Sequence, residues 1–468
     1  LDLHDVLADN TFDPGSRVLG NKIRVPLENT AVYNVERDEY YLGIQEAIDD
    51  ADPGNTIQVA PGTYHEYLFI EKPITLLGPN DGVPGYSAGR GPEAVLTVPK
   101  EVDLENPEDN MDAVIFVNAS GVTVDGFRIT GDNGNGKMNY AGCNIQAGIG
   151  IVAFNYDRMD NLAFQNNIID CFSGMGVFTA RMQEIVEIMG PIENVTVTGN
   201  LVRNIYDLRE SGCGYGVYMQ GTNGSATGNV VKNSRLGIMV HPISAGGGGL
   251  VKGNDSETYL AGLLYRGAES GAGAWTFEEN SSTAIDPPDG VENKAFWRGI
   301  DVGYFTAGAG PVYFKNNTVD GSGTSVEHPY RSKVSGVVIH ENVEDGAEMV
   351  FEGNTITGVQ IGVERNGGNL DLHDVLDNNI FDPGSTVIEN TIRVPEENTN
   401  YNVEKNEYYD SIQEAVGAPG DGNAVDGDPF IGDPRTYREE FAIPKIKNNL
   451  TLNGANSGPS KMEQFLKL

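Results

Sequence analysis

From Gly150 onward the chain repeats one short phrase, a glycine followed by alternating apolar and variable positions. It reads Gly150-Ile151-Val152-Ala153, Gly176-Val177-Phe178-Thr179, Gly216-Val217-Tyr218-Met219 and Gly237-Ile238-Met239-Val240. It continues as Gly262-Leu263-Leu264-Tyr265, Gly299-Ile300-Asp301-Val302, Gly336-Val337-Val338-Ile339 and Gly362-Val363-Glu364-Arg365. The residue after glycine is always Val, Ile or Leu, whereas the next ranges from Phe to Asp to Glu. Side chains alternate across a strand, so the constant column is expected to face a core and the variable column solvent.

A second column lies between these phrases: Asn167, Asn200, Asn229, Asn254, Asn280, Asn317, Asn354 and Asn379, spaced 25 to 37 residues apart. Repeats of that length, rich in β-branched residues and without intervening helices, describe a stack of strand coils and exclude a leucine-rich or α-solenoid. Stacked coils lie about 4.8 Å apart. At that spacing one asparagine amide donates to the coil on one side and accepts from the other, so the column is expected to form a ladder. The fold that follows is all-β, a right-handed parallel β-helix.

A stack of open strands needs its ends covered. Residues 40–51 place Ile44, Ala47, Ile48 and Ala51 on one helical face and stop at Pro53-Gly54, which predicts a capping helix. The chain then runs Gly54-Asn55-Thr56-Ile57-Gln58-Val59-Ala60-Pro61-Gly62-Thr63-Tyr64 and Ile74-Thr75-Leu76-Leu77-Gly78. This stretch resembles the first coils of right-handed β-helix proteins in the broad pectate-lyase-like superfamily, over roughly residues 40 to 395. The resemblance implies the scaffold and not the activity.

A much longer repeat overlies the coils. Leu1-Asp2-Leu3-His4-Asp5-Val6-Leu7 recurs as Leu370-Asp371-Leu372-His373-Asp374-Val375-Leu376, and Phe12-Asp13-Pro14-Gly15 as Phe381-Asp382-Pro383-Gly384. Tyr33-Asn34-Val35-Glu36 matches Tyr401-Asn402-Val403-Glu404, and Thr63-Tyr64 and Leu76 find weaker counterparts in Thr436-Tyr437 and Leu452. The organisation expected is residues 1–39 as the terminal coil of a preceding module, 40–369 as a β-helix module, and 370–468 as a repeat of the N-terminal segment and the start of a next module. Either the protein is a tandem array within one chain, or the repeated ends join separate chains head to tail.

Charge narrows the partners. Sixty-seven acidic residues against 31 basic ones give a formal net charge of −36, which disfavours nucleic acid and anionic membranes. No apolar run is long enough to span a bilayer. Without a leader or an initiating Met the chain reads as a mature or excised segment of an extracellular or cell-surface protein. Cys143, Cys171 and Cys213 are too few for a disulfide framework, and Cys171 and Cys213 are expected as buried free thiols.

The columns also map a candidate surface. One outward row runs Val152, Phe178, Tyr218, Met239, Leu264, Asp301, Val338, Glu364, and the next Phe154, Ala180, Gln220, His241, Arg266, Gly303, His340, Asn366. Phe178, Arg181, Tyr218, Gln220, His241 and Arg266 together supply the ring-stacking and hydrogen-bonding groups that a polysaccharide needs. If the face is catalytic, His241 is the candidate base, Arg266 the neutraliser of a uronate, and Tyr218 and Asp301 their companions. The paired-Asp, Arg-x-Pro-x-x-Arg and Asp-Pro-His signatures of β-helix enzymes are absent. Residues 80–112, 183–192 and 321–334 are the insertions expected to wall a groove. Asp421, Asp426 and Asp428 are a weak candidate for Ca²⁺, an oxygen-seeking ion. The sequons at Asn118, Asn194, Asn223, Asn254, Asn280, Asn316 and Asn449 adjoin or coincide with the ladder and are read as fold chemistry. The function expected is a structural or adhesive module that binds itself or carbohydrate; the alternative is a polysaccharide lyase or glycosidase.

Overall fold

The computed structural model describes residues 32–99, 113–134, 139–140, 142–154, 159–180, 192–207, 213–220, 222–242, 247–288, 296–324, 333–383, 385–388, 400–402, 407–409, 430–431 and 452–453. The chain winds as a parallel β-helix whose coils present three faces. The first face is a 12-stranded sheet that runs from the strand Glu39–Tyr41 to Met349–Glu352. The second and third faces form one 20-stranded sheet, because Val230–His241 and Asp255–Arg266 each run through both.

Strand pairing reproduces the outward row read from the sequence. Val152 lies opposite Phe178, Phe178 opposite Tyr218, Tyr218 opposite Met239, and Met239 opposite Leu264. The row goes on through Asp301 and Val338 to Glu364. Ile151, Val177, Val217, Ile238, Leu263, Ile300, Val337 and Val363 line the core as expected. The glycine column has a steric cause. A Cβ on Gly237 would stand 2.2 Å from the carbonyl oxygen of Gly262, and one on Gly299 2.8 Å from that of Gly336. The coils approach too closely there for any side chain.

The outward row departs from expectation in its burial. Val152, Met239, Leu264, Asp301, Val338 and Glu364 are all buried. Leu236, Leu260 and Ala261 pack around Met239 and Leu264, while Arg266 and Lys333 reach sideways to Asp301 and Glu364. Neighbouring side chains therefore cover this row, and period-two alternation alone does not report that second layer.

The asparagine ladder forms. The backbone N–H and the Nδ2 of Asn229 both donate to Oδ1 of Asn254, at 2.8 and 2.9 Å. Asn254 repeats this towards Asn280, and Asn280 towards Asn317. The other Nδ2 proton returns to a carbonyl of the preceding coil, as from Asn254 to Ala226 at 2.9 Å. Each amide thus joins three coils, and the rungs Asn167 to Asn354 are almost fully buried.

Both ends of the stack are covered. At the start, Val32–Asn34 pairs antiparallel with Thr56–Val59 and with Glu39–Tyr41. The helix α1 (Ile44–Asp50) buries Ile44, Ala47 and Ile48, and the carboxylate of Glu66 receives the N–H groups of Ile44 and Gln45. At the far end α2 (Leu372–Asn378) stands where a first-face strand would continue, burying Leu372 and Val375. Ile380–Phe381 and Thr386–Ile388 then pair with the preceding coil. Asn379 ends the ladder by donating to the carbonyl of Val375, in α2. Residues 32–39 are thus hydrogen-bonded into the opening cap, and residues 370–388 into the stack as its closing coil.

Beyond the closing coil lies a separate four-stranded sheet. Asn400–Asn402 pairs antiparallel with Glu407–Tyr409, setting Tyr401 opposite Tyr408 as Tyr33 stands opposite Tyr40. Phe430 lies opposite Asn402 and Leu452 as Ile57 lies opposite Asn34 and Leu76. The second copy repeats the register of the opening cap.

One expectation about cysteine is overturned. Cys143 and Cys171 are joined by a disulfide, with Cα atoms 5.7 Å apart, while Cys213 is a free, half-buried thiol. Cys143 lies on a two-stranded flap, Asn139–Tyr140 and Cys143–Asn144, which no coil column contains. The bond clips that flap to the second face.

A polar stripe on the third face

The outward row and its neighbour bring most of the candidate residues together. The rings of Phe178 and Tyr218 stack at 5.0 Å, Tyr215 leans on Tyr218 at 4.8 Å, and the Tyr218 hydroxyl meets Nδ1 of His241 at 3.0 Å. Gln220 lies opposite His241 on the next strand. Arg181 lies outside the described residues, as do Asp421, Asp426 and Asp428.

Burial fixes the protonation of this group. It pushes the Tyr215 and Tyr218 phenols up, Tyr218 far above its ordinary value, so Tyr218 keeps its proton. Burial also lowers the His241 imidazole, against a smaller opposing pull from Glu269. A neutral imidazole beside a protonated phenol is a hydrogen-bonding pair, and of the two His241 is the one able to take up a proton.

Further along the stripe Asp301 is completely buried. Arg266 grips it in a fork, Nε to Oδ1 at 2.6 Å and Nη2 to Oδ2 at 2.8 Å, and Nη1 of Arg298 lies 2.5 Å from Oδ2. His340 Nε2 sits 3.2 Å from Oδ1. Burial alone raises the Asp301 carboxyl, but Arg298, with His340 and Arg266, outweighs it and holds the group well below the usual carboxylate range. Asp301 is therefore an anion at neutral pH, neutralised from both sides. Glu364, the other acid of the row, is bound to Lys333 at 2.6 Å. Neither carboxyl is placed to act as one of the two acids a glycosidase requires.

Arg298 and the role of His340 escaped the sequence reading. Arg298 occupies the position before the column glycine, where other coils carry Tyr215, Leu236, Ala261 and Ser335. A cation at a position otherwise uncharged, one coil from Arg266, is the signal that was available. The insertion expected as a first groove wall does something else in its described part. Arg90 donates to the carbonyls of Val83 and Asn166, and Gly85 to that of Gly199, so residues 79–93 lie over the ladder turn. Among the described residues no cluster of three or more His, Cys, Asp or Glu side chains is arranged to hold a metal ion. No helix among them is long and apolar enough to cross a membrane.

No curated protein matches the chain. Residues 32–261, from the first cap strand to the third-face strand that leads into Arg266, match the model of a family described as a protein of unknown function (DUF1565).

Proposed function

We propose that this chain is a structural or adhesive β-helix module of an extracellular tandem-repeat protein. The observation that carries the reading is the second cap: residues 400–453 repeat the strand order and register of residues 32–76 directly after a closed stack. A helix covers each end of that stack, which argues for modules joined through the chain and against coil-on-coil fibres of separate chains. The Cys143–Cys171 disulfide and the net charge of −36 support a secreted or surface setting. Repetition turns one weak contact per module into avidity, which suits attachment to a matrix or to a partner with repeats of its own.

Electron microscopy of the purified chain, with and without calcium, tests the reading. Separate rods of about 55 Å, from twelve first-face strands at about 4.8 Å each, are expected. Filaments in either condition would assign the repeated ends to contacts between chains.

A second reading is favoured by the Phe178–Tyr218–His241 stack, which has the aromatic and polar character of a carbohydrate subsite. In its catalytic form, a polysaccharide lyase, His241 takes up the proton. The test is absorbance near 235 nm on a panel of uronate polysaccharides, with loss in His241→Ala. No product from any member sinks the lyase form.

A further inference from the structure

Burial sorts the sequons into two kinds. Asn254 and Asn280 are ladder rungs, 1% and 2% accessible, and Ser256 and Ser282 are enclosed with them. Both Nδ2 protons of each rung are spent: Asn254 donates to the carbonyl of Ala226 and to Oδ1 of Asn280, and Asn280 donates to Val251 and Asn317 in the same way. Asn194 gives its N–H to Oδ1 of Asn223 and its Nδ2 to Oδ1 of Asn161, so these three form a second, shorter asparagine column. Asn118 is half-buried, with its Oδ1 shut off from solvent. Asn449 lies outside the described residues. Asn316 differs from all of them. It is exposed, its side-chain amide donates to no other described group, and Thr318 two residues on is exposed as well. Its backbone is left-handed, with φ of 53°, and its Oδ1 lies over Gly353, where any Cβ would collide with it. With the oxygen turned onto that coil, Nδ2 faces away from it.

The turn around Asn316 also has room. The same position is held by Asn166, Gly199, Gly228, Gly253, Glu279 and Gly353 in other coils. Residues 79–93 cover the first of these turns. Arg90 donates to the carbonyl of Asn166, Gly85 donates to that of Gly199, and the Tyr86 hydroxyl stands 3.9 Å from where a Cβ on Gly228 would be. That cover has ended by Gly253, where a Cβ would meet nothing within 4 Å. We propose that Asn316 is an N-glycosylation site, a proposal that rests on the extracellular reading. Asn316-Asn317-Thr318 supplies the acceptor amide and the hydroxyl two residues on that the transfer requires. In that step Nδ2 bonds to the anomeric carbon of an oligosaccharide carried on a lipid phosphate. The bond from that carbon to the phosphate oxygen breaks, the phosphate leaves with the electron pair, and Nδ2 gives up one proton. A rung such as Asn254 or Asn280 carrying a sugar could not enter the stack, so the folded chain bears none there.

Glycopeptide mass spectrometry tests the site, on the chain purified from the surface or the medium of the cells that naturally make it. One glycan is expected on the peptide holding Asn316, and none on those holding Asn254 and Asn280. Asn316→Gly writes in the residue that Gly253 and Gly353 already supply at this turn, so it should fold, read by circular dichroism, and lose the mass of that glycan. Thr318→Ala should lose the same mass, and Thr318→Ser should retain it. A secreted chain with Asn316 bare, a glycan on Asn254 or Asn280, or a glycan at Asn316 that survives Thr318→Ala would overturn the proposal and leave the extracellular reading standing. A chain recovered only from inside the cell, with Asn316 bare, would overturn both.

Discussion

The asparagine ladder and the cluster around Asp301 are both buried polar systems on one scaffold, and they are built on opposite logic. In the ladder each amide is neutral and identical to its neighbours, and its partners are supplied by the coils before and after it. In the cluster one anion sits among two guanidinium groups and an imidazole, with no counterpart above or below. Low dielectric strengthens both, but only the cluster leaves a bare charge when a member is lost. Repetition makes polar burial tolerant of length, whereas the unique cluster pins one place on the stack.

The largest expected effect is therefore in the cluster. Asp301→Ala strands Arg266 and Arg298, the latter with its Nε already without a partner among the described residues, and should cost about 3–5 kcal/mol in denaturant unfolding. Acid should act on the same group. Its folded pKa is depressed, so its stabilisation is complete above the ordinary carboxylate range near pH 4 and is lost as pH falls through the folded value. Asp301→Asn should flatten that acid limb of the stability profile.

Next comes the middle of the ladder. Asn254→Ala removes the acceptor of two Asn229 donors and a donor to Ala226 and to Asn280, an expected loss of about 2–4 kcal/mol. Asn379→Ala, at the last rung, should cost only about 1–2 kcal/mol, because that rung is only partly buried. Equal losses at the two rungs would mean that the ladder is not a set of nearest-neighbour terms. The smallest effect belongs to His241. Its folded pKa is lowered, so the unfolded chain binds the proton more readily below about pH 6.5 and stability falls as pH drops from there. His241→Gln should remove that gentle slope without changing stability at pH 8.

This contrast also governs what could be read in advance. Columns such as Gly237-Ile238 and Asn254 are legible because eight coils repeat the same requirement, and the repeat spacing alone sets their register. The Asp301 cluster draws on Arg298, Arg266 and His340 from three coils, and a single occurrence carries no periodic signal. The row containing Asp301 and the row containing Arg266 were both visible; their diagonal pairing was a cross-strand contact open to prediction. The disulfide had no such route, since Cys143 lies on a flap outside every column. Burial of Leu264 and Val338 was hidden for a related reason, being set by side chains reaching across from neighbouring coils.

The central claim is that residues 370–388 close one stack and that a new one begins after them. Hydrogen exchange measured by mass spectrometry addresses it directly, with Phe381→Asp beside the unaltered chain. Ile380–Phe381 is expected to exchange in the same slow class as Thr355–Thr357 and Ile361–Arg365, and Phe381→Asp to accelerate all three together. The hairpin of Asn400–Asn402 and Glu407–Tyr409 should be unmoved. Free exchange of Ile380–Phe381 beside a protected Ile361–Arg365, or a hairpin that responds to Phe381→Asp with the stack, would contradict it.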